Sequence, residues 1–83
     1  MTSEEVAGRL RRFLVEQIPN QGTELLPTTH LLEEWFLDSI GVIETVLFLE
    51  TEFGIEIGRA DVNATNFQSL EALTRLVVQR QPG

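Results

Sequence analysis

The sequence predicts an all-α fold: a small four-helix bundle with three main helices, one short helix and a long first loop. Three observations predict it. Three segments repeat apolar residues at helical spacing behind a capping residue. The one apolar/polar alternation, Ile55-Glu56-Ile57, has no second strand candidate to pair with and reads as an extended link. The chain has 83 residues and no cysteine, enough for one small core and without a disulfide to staple it. A single domain over 1–83 is expected, with helices over about 3–18, 39–53, 59–62 and 70–79 and a loop over 19–37.

Thr2-Ser3-Glu4-Glu5 opens the first helix, Thr2 as cap and Glu5 three residues on completing a capping box. Val6, Leu10, Phe13 and Leu14 then fall at i, i+4, i+7 and i+8, a single apolar face. Pro19 stops this helix. The connection that follows begins with turn chemistry, Pro19-Asn20-Gln21-Gly22-Thr23. Leu25, Leu26, Leu31, Leu32, Trp35 and Phe36 give it anchors, and a short helical turn is expected around Leu31 to Trp35.

Asp38 caps the second helix, Ser39 takes its first position, and Gly54 stands where a left-handed C-cap glycine belongs. Val42, Val46, Leu49 and Phe53 form the expected core stripe, flanked by Thr45 and Ile43. Ile40, Glu44, Leu47, Phe48 and Thr51 fall on the far side, and three of these five are large and apolar, an unusual solvent face. Gly58 to Val62 reads as one short helical turn and Asn63 to Asn66 as loop. Ser69 caps the last helix, with Leu70, Leu73, Leu76 and Val77 inward and Arg75 and Arg80 at its C-terminal end.

Thirteen acids against six bases, all arginine, give a net charge of -7. That balance argues against nucleic acid, which needs a basic footprint, and favours basic protein partners. No apolar run approaches the roughly 20 residues that span a bilayer, and no secretory signal is visible. The expected location is therefore cytoplasmic. Met1 and the short tail suggest a free-standing protein, and a monomer is expected.

Catalytic constellations are absent. One histidine and no cysteine leave no nucleophile–base–orienter set. His30, in the long loop, reads as a local hydrogen-bonding or surface residue. No calcium-loop spacing and no glycine-rich phosphate loop occur, so neither a metal nor a catalytic residue is expected. Ser39 remains. Most serines in a first helical turn are caps and nothing more. This one follows an acidic residue and opens a helix whose outer face is part acidic and part apolar. The helix N-terminus offers unpaired N–H groups and a positive dipole end, a favourable field for a phosphodiester on its hydroxyl.

Leu37-Asp38-Ser39-Ile40 resembles the [LI]-D-S-[LIM] attachment motif of the acyl carrier protein family. Residues 41 to 57, with their L-E-x-E-F-G-I-x-I ending, resemble the family's second helix. Asn66-Phe67-Gln68-Ser69-Leu70 resembles the start of its last helix. The resemblance spans nearly the whole chain, and the three motifs occur in order. It implies a carrier that is not an enzyme. A phosphopantetheinyl transferase would place 4′-phosphopantetheine on Ser39, and its thiol would hold acyl or aminoacyl groups as thioesters, the sulfur this cysteine-free chain lacks. Asp38 is then part of the motif as well as the cap. Ile40, Glu44, Leu47 and Glu50 match the face that partner enzymes read, so loading and accepting synthase enzymes with basic docking patches are the implied partners.

The departures from the family pattern refine this. Phe36 replaces a glycine common two residues before the aspartate and, with Trp35, makes the approach to the serine bulky and apolar. Gly41 replaces a residue that is often polar, and Phe48 one that is often small. With only Glu44, Glu50 and Glu52 as acids on the helix, the sequence leans toward a discrete carrier of polyketide, nonribosomal peptide or related specialised biosynthesis, with fatty-acid synthesis as the alternative. The alternative of another class is a helical protein–protein interaction module without cofactor, in which Ser39 is only a cap. A small acidic metal-binding protein is a third, and lacks a ligand motif.

Overall fold

Thr2 and Glu5 exchange hydrogen bonds at the start of the first helix. The Glu5 amide donates to Thr2 Oγ1 at 3.2 Å and the Thr2 amide to Glu5 Oε1 at 3.4 Å. Helix α1, Ser3–Gln17, follows from that box and ends at Ile18, whose backbone turns extended. The computed structural model describes residues 1–18, 24–35 and 37–81. The turn expected at 19–23 and the side chain of Phe36 lie outside these residues. Val6, Leu10 and Leu14 are fully buried along α1. Phe13 is only half-buried and turns toward the second helix instead.

Helix α2 spans Ser39–Phe53. It closes on Gly54 at φ +64°, a left-handed conformation that glycine adopts without a Cβ penalty, with the Gly54 amide donating to the Glu50 carbonyl. The buried stripe of α2 is Gly41, Thr45 and Leu49, while Val42, Val46 and Phe53 are half-buried against the core. The helix is thus rotated from the expected stripe toward its Gly41–Thr45 side. Two expectations change with it. Ile43, read as a flank of the core, is 59 % exposed. Phe48, read as part of the far side, is half-buried and stacks on Phe13 with ring centroids 4.2 Å apart.

Gly41 permits this orientation. A Cβ there would lie 2.7 Å from Leu37 Cδ1 and 3.5 Å from Ile18 Cγ2, so the missing side chain lets α2 lie against the end of α1 and the loop. Thr45 enters the core because its hydroxyl donates to the Gly41 carbonyl at 2.7 Å, which removes the penalty for burying it.

The described part of the long loop is packed through its apolar residues. Leu25, Leu31, Trp35 and Leu37 are buried, whereas Leu26 is 49 % exposed. Residues 31–34 form a turn, with the Glu34 and Trp35 amides both donating to the His30 carbonyl. The loop is tied across the bundle by backbone bonds from Leu31 to Gln68 at 2.7 Å and from Glu71 to Pro27 at 3.1 Å. Trp35, expected both as a loop anchor and as part of a bulky approach to the serine, is a core residue at 1 % exposure.

After the extended link, Arg59–Asp61 form a single 3-10 turn, and Ala64–Phe67 form the one-turn helix α3. Asn63, read as loop, caps α3 by accepting from the Asn66 amide at 2.8 Å, and Phe67 buries the turn. Four residues are too short for a periodic pattern, which is why the sequence reads this stretch as loop. Helix α4, Leu70–Arg80, begins at the Ser69 cap, packs on α1 and α3, and brings Gln81 beside Met1. Arg80 does more than complement the helix end. Its guanidinium makes two bonds to the Asp61 carboxylate, at 2.6 and 2.7 Å, and Asp61 Oδ2 also accepts from the Gly58 amide. The 3-10 turn is thereby clamped to the end of α4. Among the described residues there is no strand, and no helix long and apolar enough to cross a membrane.

Candidate functional site

Ser39 sits at the first position of α2, exposed, between an occupied cap and an exposed aliphatic residue. Asp38 makes that position. Its backbone is extended, its carboxylate accepts from the Gly41 amide at 2.8 Å, and its carbonyl accepts from the Val42 amide at 2.9 Å. The cap therefore engages the third N–H of the helix. The amides of Ser39 and Ile40, like the leading N–H groups of any helix, have no partner within it and point along the positive end of the dipole. A phosphate ester on Ser39 Oγ fits this setting, which provides solvent access, nearby amides and a favourable field.

Of the residues expected to meet partners, Ile40 is 67 % and Leu47 57 % exposed, and Glu44 is exposed as well. Glu50 is placed differently. It is half-buried, and its carboxylate accepts from the Ile57 amide at 3.0 Å, tying the end of α2 to the link that follows. Glu52 forms an ion pair with Arg9 of α1. Ile43, which the sequence reading places on a flank of the core, joins Ile40 and Leu47 on the open face.

The other polar candidates are locally employed. His30 Nδ1 accepts from the Glu33 amide at 3.2 Å, and the His30 amide donates to Glu34, so the imidazole and its neighbours organise the turn. Ser69 is buried and its hydroxyl oxygen accepts from the Ala72 amide at 3.0 Å. Among the described residues no group of three acidic or histidine side chains could hold a metal ion.

The bundle thus presents an exposed serine at the start of α2, beside exposed apolar residues of the same helix. The family model described as "Phosphopantetheine attachment site" matches residues 8–77, and the chain belongs to that family. It is accordingly a non-catalytic carrier protein with 4′-phosphopantetheine attached covalently to a serine. Two solved structures from Bradyrhizobium japonicum are similar to it. One is a glycine:[carrier protein] ligase complexed with glycylated carrier protein, matched at 23% identity over 89% of this chain and 96% of that chain, with a TM-score of 0.67. The other is the ligase with its cognate carrier protein and an analogue of glycyl adenylate, at 26% identity over 94% of this chain and 92% of that chain, with a TM-score of 0.63.

Proposed function

We propose that Ser39 is the serine that bears the phosphopantetheine arm, and that the chain carries aminoacyl or related acyl units for specialised biosynthesis. One observation carries the assignment. The chain has three serines, two of them within the matched residues 8–77, and of those two only Ser39 is exposed while Ser69 is buried and occupied as a cap. The bound arm would supply a terminal thiol that holds a carbonyl as a reactive thioester. The chain's own residues do the rest. Asp38 fixes the first turn, the Ser39 and Ile40 amides would be the groups nearest a phosphodiester on Ser39, and Ile40, Glu44 and Leu47 lie exposed on the same helix.

Among the cargoes the family resemblance allows, an aminoacyl group is favoured by the likeness to a carrier that a glycine ligase serves. Polyketide or nonribosomal peptide assembly is the pathway class this reading supports. The partners are then a phosphopantetheinyl transferase and the enzymes that load and unload the thiol.

The test is an intact mass after incubation with coenzyme A and a broad-specificity phosphopantetheinyl transferase. Wild type should gain one phosphopantetheinyl group and Ser39→Ala none, with both chains folded. A gain in Ser39→Ala, or none in folded wild type, would overturn the assignment. The loaded form, offered glycine, ATP and a glycine:[carrier protein] ligase, should gain a glycyl group in preference to other amino acids tried singly.

A further inference from the structure

We propose that the turn ahead of α2 is a proton-sensitive device. With a neutral imidazole His30 caps the turn, and on gaining a proton it releases the Glu33 amide and turns toward the carboxylates around it. The proposal holds whether or not Ser39 bears the arm, because it concerns the loop and not the attachment.

The direction of one hydrogen bond carries it. His30 Nδ1 accepts from the Glu33 amide at 3.2 Å. An imidazole nitrogen accepts only while it holds no proton, and in the charged ring both nitrogens are donors. The bond therefore belongs to the neutral ring with its proton on Nε2, and the charged ring would set a donor against a donor. Histidine is the side chain whose charge ordinarily changes between about pH 5 and 8, and this chain has one. The residue is half-buried, so its ring exchanges protons with solvent.

The charged ring has somewhere to turn. Nε2 lies 3.9 Å from a carboxylate oxygen of Glu33, and Glu34 accepts from the His30 amide at 2.8 Å. Across a small cleft stands Glu71 of α4, with the uncharged Thr28, Gln68 and Ser69 as the other described lining residues and no arginine among them. A proton on the ring thus exchanges a cap for ion-pair partners on its own turn and on α4.

The change is local because the rest of the turn is held by backbone groups. The His30 carbonyl accepts from the Glu34 and Trp35 amides at 2.7 and 3.1 Å, and the Leu31 amide donates to the Gln68 carbonyl. The Leu37 amide donates to the Leu31 carbonyl at 2.8 Å, one residue before the Asp38 cap of α2. None of these bonds uses the ring. Acid therefore loosens the turn at Glu33 while Trp35 stays in the core.

Amide exchange followed by NMR, with each rate taken relative to the unfolded chain at the same pH, tests this between about pH 7.5 and 5.5, where histidine ordinarily changes charge and carboxylates do not. Protection of the Glu33 amide should fall about tenfold in the wild type as the pH falls, the loss of one modest hydrogen bond. His30→Asn, whose side-chain oxygen accepts at every pH, should keep the protection at both ends. His30→Ala should lack it at both. Equal protection of the wild-type amide at the two pH values would overturn the proposal. So would the same loss in His30→Asn, which would place the response in Glu33, Glu34 or Glu71. Trp35 emission is read alongside and should stay that of the folded chain. A shift to the unfolded emission in the wild type at pH 5.5 would overturn the proposal as well, since the whole domain and not the turn would then respond.

Discussion

The Asp38 carboxylate and the Gly41 amide, 2.8 Å apart, close the first turn of α2 around Ser39. The bond leaves the serine side chain out of the capping arrangement, so the residue proposed to bear the arm is not one the helix depends on.

Asp38→Ala therefore separates support from attachment. Removing an N-cap acid costs about 1 kcal/mol. Urea unfolding followed by circular dichroism should show that loss, while Ser39→Ala should unfold within about 0.5 kcal/mol of wild type.

A side chain added at Gly41 meets Leu37 at once. Gly41→Val should destabilise the chain by about 2 kcal/mol through overpacking. In a domain of this size the melting temperature would fall by roughly 8 to 16 °C. A melting temperature equal to that of wild type would contradict the rotation of α2 described above.

Phe13 and Phe48 join α1 to α2, and Phe53 meets Phe48 edge-on with centroids 5.8 Å apart. A double-mutant cycle on Phe13→Leu and Phe48→Leu should return a favourable coupling of about 0.5–1.5 kcal/mol. A coupling near zero would mean that the rings are neighbours without being partners.

The Arg80 guanidinium, followed by the Gly58 amide, holds the Asp61 carboxyl below the usual carboxylate range. The bound form is the ionised one, so the contribution of the clamp is present above the pKa of Asp61 in the unfolded chain. It is lost as pH falls through the lower pKa of the folded state. Asp61→Asn should thus be less stable than wild type near neutral pH, and the difference should shrink below about pH 4. Urea midpoints of the two chains across that range measure it. A difference independent of pH would assign the effect to packing.

Helix ends are legible in the sequence because capping is chemistry between residues a turn apart. Thr2 with Glu5, Asp38, Gly54 and Ser69 each identify themselves by residue type. The bundle follows from those ends and from the periodic faces between them. The rotation of α2 does not, because a glycine carries no hydropathy signal, yet at position 41 it permits that orientation. The same blindness puts Ile43 on the flank of the expected core and Phe48 on the expected surface. The bond from the Ile57 amide to Glu50 is also illegible, because it spans a reversal of the chain that periodicity cannot see. Trp35 is legible as an apolar anchor of the loop, and it is buried as such; its reading as a bulky approach to the serine rests on sequence neighbours alone.

That burial also equips the chain with an optical gauge. Trp35 is its only tryptophan, there is no tyrosine to confuse the signal, and the indole is 1 % exposed. Unfolding moves the indole into water and shifts its emission to longer wavelength. A group fixed at the proposed site, Ser39 on the outer surface, would change the mass and leave the buried ring in place. Emission and mass therefore read the folding and the loading of this chain in separate channels of one sample.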